Sequence, residues 1–479
     1  MMNISQQLTP FSQSILFPAI KDALHRAALH EGVRNVEMTF KETATSDDIY
    51  VLLAMMTTAV WGTSPTVAGD LFGVVTPQVE ARGKMGQGIK SAQRTLEDFP
   101  QAYGRMKRWS EWVFASEWSQ AQLLQVMEEI EPMVKEAMTW MNRLAIAAVG
   151  SYAHLGDLIA KFEQDDVKLQ ALHLGLMAGL ETPDGQLIGE LEVGISAQKL
   201  QEHFGHLAPS HPCEIALPRI GENVHAFIGD QSPPESMMWD LSRAQGREMA
   251  AMTQANARVG FLRRAGLRKA ITVTRGALAA HAKARDGLAH VLAATRHWAQ
   301  AAAGEGLANG RIHSLDEIFM LEIEEIKQMM TGEWHSRNHV EPLIAQRRST
   351  SPPRNDAPFL SRTPLGVAGQ PVQGYLKPLP TPEAVAKPSG FIALTSGWTP
   401  AWWRVILMAE GVVETDGNLL SWIASVARMG DLPALVGGYR YADWPSGTNV
   451  QLDPSRSLIE RLTGASQFRG NLSNDALAE

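Results

Sequence analysis

Cysteine is nearly absent from this sequence: Cys213 is the only one among 479 residues. A single thiol excludes an intramolecular disulfide and is typical of a protein from a reducing compartment. Positive charge is not in excess either, since 43 Lys and Arg residues stand against 51 Asp and Glu residues, for a formal net charge of −8. Nucleic-acid-binding proteins usually carry an excess of positive charge, which this sequence lacks, so we expect no nucleic-acid partner.

Long hydrophobic runs are also missing. The longest apolar stretch, residues 51–61, is interrupted by Thr57 and Thr58 and is too short to span a bilayer. The first residues, MMNISQQ, contain no basic segment followed by an apolar core, so no secretory signal is expected. We therefore expect a cytoplasmic protein without a membrane partner.

The length of the chain predicts more than one domain, because single hydrophobic cores stop growing at about 250–300 residues. Residues 349–358 contain three prolines among polar residues, a composition typical of a linker. We place a helical domain at residues 1–350, a linker at 351–362, a small α/β domain at 363–465 and a tail at 466–479.

The residues before the linker have helical patterns almost throughout. Apolar side chains recur every three to four positions in residues 120–149, which predicts a helix with a kink or break at Pro132. A second break is predicted at Pro100. Ser314 and Glu317 have the spacing of a capping box, which predicts the start of a helix. That helix carries Ile318, Leu321 and Ile326.

After the linker, segments with the composition of strands alternate with helical ones. Thr399 and Pro400 are typical of a helix start, because proline suits the first turn and threonine accepts from free amides. The predicted strands are at 374–378, 390–394, 412–413, 434–436 and 449–452. These patterns predict a multidomain α and α/β fold, a large all-helical domain followed by a small α/β domain of roughly a hundred residues.

One segment of the α/β domain resembles a known motif. Residues 417–422, GNLLSW, and the residues 427–437 that follow are similar to the swivelling phosphohistidine domain of the phosphoenolpyruvate-utilising enzymes. In that family a Gly-Gly-x-x-Ser-His turn opens a helix, and its histidine carries a phosphoryl group between two distant sites. The resemblance implies a mobile β/β/α domain, with Trp422 at the position of the carrier histidine.

The resemblance extends over most of the chain and in the family's order. It implies that a helical substrate domain precedes the swivelling one, as in rifampin phosphotransferase and the phosphoenolpyruvate synthase-like enzymes. No ATP-grasp domain precedes these segments, which is similar to a split system such as phenylphosphate synthase and implies a separate ATP-grasp or phosphohistidine-bearing partner. The matching segments are 8–16 (LTPFSQSIL), 202–209 (EHFGHLAP), 214–222 (EIALPRIGE), 285–286 with 310–319 (RD, GRIHSLDEIF), and about 365–462.

Three positions depart from the family's pattern. Leu207 stands where the family usually has arginine, Asn418 replaces the second glycine of the turn, and Trp422 replaces the histidine. Leucine lacks the fork of donors that suits oxyanions, and a side chain at 418 restricts the approach of backbone amides to a phosphate. An indole nitrogen is a donor only and has no lone pair for a phosphoryl group. Phosphotransfer through this chain is therefore expected to be lost.

Five residues form the candidate substrate-binding set, and no catalytic residue is assigned. The resemblance implies substrate-facing roles for His206, Glu214 and Arg219. Ser421 lies at a predicted helix N-terminus, where it either caps the helix or binds a phosphate. Trp422 has two interpretations: it locks the α/β domain onto the helical domain, or its ring closes a pocket over a substrate.

A group of potential metal ligands, His203, His206, His211, Cys213 and Glu214, occurs within twelve positions. Structural zinc sites show tighter, paired spacing, so this pattern predicts no metal site, and no cofactor is expected.

Three hypotheses on function follow. The first is a divergent phosphotransferase-family protein without the phosphorylatable histidine, acting as a substrate-binding or accessory subunit of a split phosphotransferase. The second is an enzyme that transfers or condenses a small organic acceptor, with the phosphoryl group delivered in trans. The third is a non-catalytic scaffold without a ligand.

Overall fold

The computed structural model describes residues 8–33, 46–76, 85–229, 232–234, 236, 238–349, 363–384 and 390–462. The predicted linker at 351–362 and the tail at 466–479 lie outside these residues. Within them, no helix is both long enough and apolar enough to cross a membrane. The helices of the first part are α1 (Pro10–His30), α2 (Ser46–Trp61), α3 (Pro65–Phe72), α4 (Met85–Phe114), α5 (Gln120–Ala160), α6 (Asp166–Met177), α7 (Pro183–Glu192), α8 (Ala197–Phe204), α9 (Val224–Ile228), α10 (Leu241–Arg258), α11 (Phe261–Ala308), α12 (Ile323–Thr331) and α13 (Glu341–Ser349).

The helical body is built around two long helices, α5 with 41 residues and α11 with 48. Helices α1 and α4 pack on α5, and α4 also packs on α11. Residues 141–155 of α5 are buried on every side. This part of α5 therefore lacks the alternation of buried and exposed faces that a surface helix shows. The predicted helical region is confirmed, and its centre is the middle of the hydrophobic core.

Two expectations about helix ends were wrong. Pro100 lies inside α4 and does not break it, because Phe99, Ala102 and Met106 around it are buried against the core and hold the helix together. Ser314 makes no side-chain cap, and a short 3₁₀ turn, Leu315–Met320, separates it from α12. Pro132 lies inside the continuous helix α5, so no break occurs there, and the alternative of a kink stays a prediction.

The second part is a mixed seven-stranded sheet in the order β1-β5-β4-β3-β2-β6-β7. Neighbours among β2, β3, β4 and β5 are parallel, whereas β1, β6 and β7 pair antiparallel to their neighbours. This confirms a helical body followed by an α/β unit. The elements are β1 (Leu365–Ala368), β2 (Val372–Pro378), β3 (Phe391–Thr395), α14 (Trp403–Met408), β4 (Gly411–Glu414), α15 (Trp422–Gly430), β5 (Ala434–Val436), β6 (Asn449–Asp453) and β7 (Leu458–Arg461).

Helix α15 joins the α/β unit to the helical body. It packs on α7, α10 and α11 of the body and on β1 and β5 of its own unit. Two carbonyls in its last turn accept from backbone N–H groups of the body: Arg428 from Gly179 at 2.8 Å, and Gly430 from Asp240 at 2.9 Å. Carbonyls at a helix C-terminus have no partner inside the helix, so the body completes the hydrogen bonding of α15.

Candidate functional site

The turn before α15 is fastened to α3 of the helical body. The Asn418 amide donates to the backbone oxygen of Phe72 at 3.3 Å, and the Leu419 N–H donates to the backbone oxygen of Leu71 at 3.1 Å. The Asn418 side chain also accepts from the Leu420 N–H at 2.9 Å. The side chain that replaces the expected glycine thus shapes this turn and binds it to the body.

Ser421 is in the N-cap position of α15, but its hydroxyl does not cap that helix. Instead its Oγ accepts from the Asn418 N–H at 2.8 Å, which closes the turn on itself. Ser421 is one of the residues that line a cavity between α11 and α15. Of the two roles considered for Ser421, capping of α15 is not observed, and a role in ligand binding stays a prediction.

This interdomain cavity has a polar and mostly buried lining. Its volume, measured for the centre of a water-sized sphere, is about 10 Å³, which is room for roughly one water molecule. The body and the α/β unit both contribute polar side chains to it, namely Thr182, His281, Arg285, Ser421, Ser425 and Arg428.

Two arginines from opposite sides of the interface face this cavity. The Arg285 guanidinium donates through Nη2 to Asp184 Oδ2 at 2.5 Å and through Nη1 to the Leu420 carbonyl at 2.8 Å. Arg428 donates through Nη2 to the Leu419 carbonyl at 2.8 Å. Burial, together with the neighbouring Arg285 charge, lowers the pKa of Arg428 to about 10, so it remains a cation at neutral pH. The cavity therefore holds two positive charges against one carboxylate.

Several polar atoms around the cavity have no partner within the part of the chain that the structure describes. They are Nε of Arg285, Nε of Arg428, Nε2 of His281 and Oγ of Ser425. Burial, and then the Arg285 charge, lowers the pKa of His281 well below its usual value, so this imidazole is neutral. Buried polar groups are normally satisfied, so this group of atoms marks a place where a ligand or water completes the hydrogen bonding.

His206 lies in a different cluster, next to α11. Its Nε2 is 2.8 Å from Asp286 Oδ1, and its ring stacks on His290 with centroids 3.5 Å apart. The Tyr103 hydroxyl donates to Asp286 Oδ2 at 2.7 Å. No site role was predicted for Asp286, which was noted only within the segment 285–286, or for His290. Their spacing of four residues places both on one face of a helix.

Glu214 and Arg219 lie together but do not line the cavity. Both oxygens of Glu214 accept from the protein itself: Oε2 from the Thr9 N–H at 2.7 Å, and Oε1 from the hydroxyl of Ser12 at 2.7 Å. Arg219 donates through Nη2 to the Glu214 carbonyl at 3.3 Å. Burial, and then the Arg296 charge, lowers the pKa of Arg219 to about 10. In this structure Glu214 fastens the loop to the N-terminus of α1, and Arg219 ties the loop to itself.

Trp422 is half-buried and lies outside the cavity lining. It packs against an apolar cluster to which the helical body and the α/β unit both contribute; members include Leu187, Ile188, Phe204, Ile423 and Val426. Full burial of an aromatic ring contributes on the order of 1.5–3 kcal/mol, and the half-buried Trp422 contributes only part of that. This placement favours the locking interpretation over a ring that closes a pocket.

Acidification is expected to destabilise the fold because of buried neutral histidines. Burial, and then the Arg428 charge, lowers the pKa of His173 to about 3, whereas an unfolded histidine titrates near 6.5. Between these values only the unfolded chain binds the proton. Stability is therefore complete above pH 6.5 and falls toward pH 3, by up to about 1.4 kcal/mol per pH unit for this residue. Denaturant titrations at several pH values measure the slope.

The variant His173→Phe keeps a ring stacked on Tyr152 and removes the titrating group. We expect the free energy of unfolding of this variant to fall less steeply as the pH is lowered. The difference in slope should correspond to about one bound proton. His25→Phe is the matched control, because His25 is exposed and its ring meets water in both states. An unchanged slope in His173→Phe would contradict the neutral, buried state of this imidazole.

No protein-family model matches this sequence, and no curated protein is significantly similar to it. The resemblance to the phosphoenolpyruvate-utilising enzymes therefore rests on the segments quoted above.

Proposed function

We propose that this protein binds a small oxyanion, such as a phosphorylated or carboxylated metabolite, in the cavity between α11 and α15. It acts as the substrate-binding or accessory subunit of a split phosphotransferase and does not carry the phosphoryl group itself. A separate ATP-grasp or phosphohistidine-bearing protein is the partner in this proposal. The observation that carries the proposal is the pair of arginines whose Nε atoms point to no partner among the described residues.

The chemistry of the cavity suits an oxyanion. Arg285 and Arg428 supply charged donors, and Ser425 supplies a hydroxyl that has no partner among the described residues. Hydrogen bonds from charged donors are about twice as strong as neutral ones, and guanidinium groups match carboxylate and phosphate geometry. Repulsion between the two guanidinium groups contributes to the lowered pKa of Arg428. A bound anion would reduce that repulsion.

The cavity as it stands is too small for a phosphate. Its volume of about 10 Å³ corresponds to about one water molecule. An oxyanion therefore enters only when α15 moves away from α11, and binding selects a more open arrangement of the two parts. This opening breaks contacts that hold α15 and the turn before it on the body, such as the bond from Asn418 to Phe72, so the affinity for the anion is lower than that of the open arrangement alone.

The proposal assigns no carrier role to Trp422 or Ser421. Trp422 offers no lone pair for a phosphoryl group, and the Ser421 hydroxyl accepts from the Asn418 N–H with one of its two lone pairs. A serine nucleophile needs an adjacent base. His281 lines the same cavity and is neutral. A phosphorylation assay should therefore test whether His281 becomes modified.

Calorimetry and thermal denaturation of the full chain test the anion site. Phosphate, pyrophosphate and phosphoenolpyruvate are compared with potassium chloride at equal ionic strength. A ligand at a hundredfold its Kd should stabilise the protein by about 2.7 kcal/mol. Arg428→Met should weaken binding at least about tenfold, because a hydrogen bond to a charged group contributes about 1.5–3 kcal/mol. Ser425→Ala serves if Arg428→Met does not fold.

Arg105→Met is the control, since Arg105 lies on the surface in an exposed ion pair with Glu136. It should bind the anion like the unmodified protein. Stabilisation by none of the three anions beyond the chloride effect would overturn the anion site. A phosphoryl adduct on this chain in intact-mass spectra, after incubation with ATP and candidate partners, would overturn the non-carrier role. Purification from the native source without a stoichiometric ATP-grasp or histidine-bearing protein would contradict the subunit role.

A further inference from the structure

A second cluster of polar side chains lies on another face of α11 and is independent of the proposed oxyanion site. Asp286 and His290 are four residues apart on this helix, and His206 approaches them from the turn after α8. One ligand atom from each of the three residues lies within 4.8 Å of the others. All three side chains are largely buried, with 6% of His206, 8% of Asp286 and 15% of His290 exposed. Such burial protects a bound ion from competing water.

Both imidazoles direct the same nitrogen to the same carboxylate. His206 Nε2 is 2.8 Å from Asp286 Oδ1, and His290 Nε2 is 3.8 Å from Asp286 Oδ2. The second distance is beyond hydrogen-bond range, so this contact does not use the lone pair of His290 Nε2. The rings are nearly parallel, with an interplanar angle of 9°. The in-plane lone pairs of the two nitrogens therefore lie in nearly parallel planes, and one ring must turn before both nitrogens can bind the same ion.

We propose that His206, Asp286 and His290 form a binding site for one divalent transition-metal ion of the zinc or iron(II) class. Two imidazoles and one carboxylate form a donor set that these ions take in proteins, with further positions left for water or a substrate. Calcium and magnesium are disfavoured, because they prefer oxygen ligands. The pattern at 203–214 predicted no metal site, and this set takes only His206 from it.

Metal ligands must be deprotonated, so His206 coordinates through Nε2 when its proton is on Nδ1.

Tyr103 is not one of the proposed ligands but bonds to one of them. Its hydroxyl donates to Asp286 Oδ2 at 2.7 Å and fixes the orientation of the carboxylate. Gly287 permits this approach, since a Cβ there would lie 3.2 Å from the ring of Tyr103 and 2.9 Å from Met106 Sδ. Hydrogen bonds to the ligands of a metal typically affect affinity by 10–100-fold.

Metal titration of the full chain tests the proposal. The protein is stripped with a chelator and dialysed against Zn²⁺ or Co²⁺, and bound metal is counted by elemental analysis while Co²⁺ absorption reports the ligand field. We expect one ion per chain, and at least about tenfold weaker binding in His290→Ala and Tyr103→Phe. All of these titrations are done in buffers without phosphate or carboxylate. Metal binding is then measured while the proposed oxyanion site has no ligand.

His297→Ala is the matched control, because His297 lies on α11 and is half-buried but belongs to no ligand group found among the described residues. It should bind metal like the unmodified protein. Absence of tightly bound metal in the unmodified protein would overturn the proposal. Equal affinity in His290→Ala and the unmodified protein would overturn it as well. His290→Ala is preferred to a change at Asp286, because Asp286 also holds His206 and Tyr103 in place.

Discussion

Asp184→Asn is expected to lower the free energy of unfolding by about 3–5 kcal/mol, because removal of one partner leaves a buried charge without compensation. Asp184 Oδ2 accepts from Arg285 Nη2 at 2.5 Å, and the two side chains are only 7% and 14% exposed. Without the carboxylate, the Arg285 charge faces Arg428 alone across the interdomain cavity. Denaturant unfolding in an anion-free buffer measures the loss.

Glu136→Gln provides the comparison. Its ion pair with Arg105 has the same length of 2.5 Å, but the side chains are 26% and 44% exposed. Exposed pairs of this kind contribute about 0–1 kcal/mol, so a small effect is expected. The double variant Asp184→Asn with Arg285→Met should recover most of the stability, because the charge is then gone. Equal losses at Asp184 and Glu136 would refute the role of burial.

The same variant bears on the proposed oxyanion. Loss of the Asp184 carboxylate removes a competitor for the Arg285 guanidinium, so phosphate should stabilise Asp184→Asn more than the unmodified protein. This follows from linkage, since a ligand that binds more tightly to the folded state adds more stability. A phosphate effect of equal size in both proteins would place the anion away from Arg285.

Glu214→Ala is expected to lower the free energy of unfolding by about 3–5 kcal/mol, because one buried and three partly buried donors lose their acceptor at once. Each unsatisfied buried group costs about 1–3 kcal/mol. Glu214 accepts from the N–H and hydroxyl of Thr9, the hydroxyl of Ser12 and the Ala216 N–H, at 2.7–2.9 Å. These bonds hold the N-terminus of α1. Faster amide hydrogen exchange in the first turn of α1 should accompany the loss.

Glu202→Ala is the control for this experiment. Glu202 is an exposed glutamate in α8, and it accepts from Gln198 Nε2 at 2.9 Å. Its removal should change stability by no more than about 0.5 kcal/mol. The resemblance assigned Glu214 to a substrate. If Glu214→Ala keeps its stability and loses affinity for a ligand, that assignment stands and the anchoring role is refuted.

Local patterns predicted the types of most elements in the α/β unit. The segments expected as strands correspond to β2, β3, β4, β5 and β6. The strands β1 and β7 were missed, because both lie at the edges of the sheet and are defined by their pairing with β5 and β6. The sequence LGVA of β1 carries little of the alternation that marks an isolated strand.

The sequence by itself determined the division into a helical and an α/β part and the place of the turn before α15. Only the tertiary structure decided which side chains meet. His206 reaches Asp286 across 80 residues, and Arg285 reaches the Leu420 carbonyl across 135. Periodicity shows which face of a helix is apolar, but a buried arginine or histidine has the same local sequence signal as an exposed one. Contacts between distant positions arise from how α11 packs against its neighbours, and no local pattern records that packing.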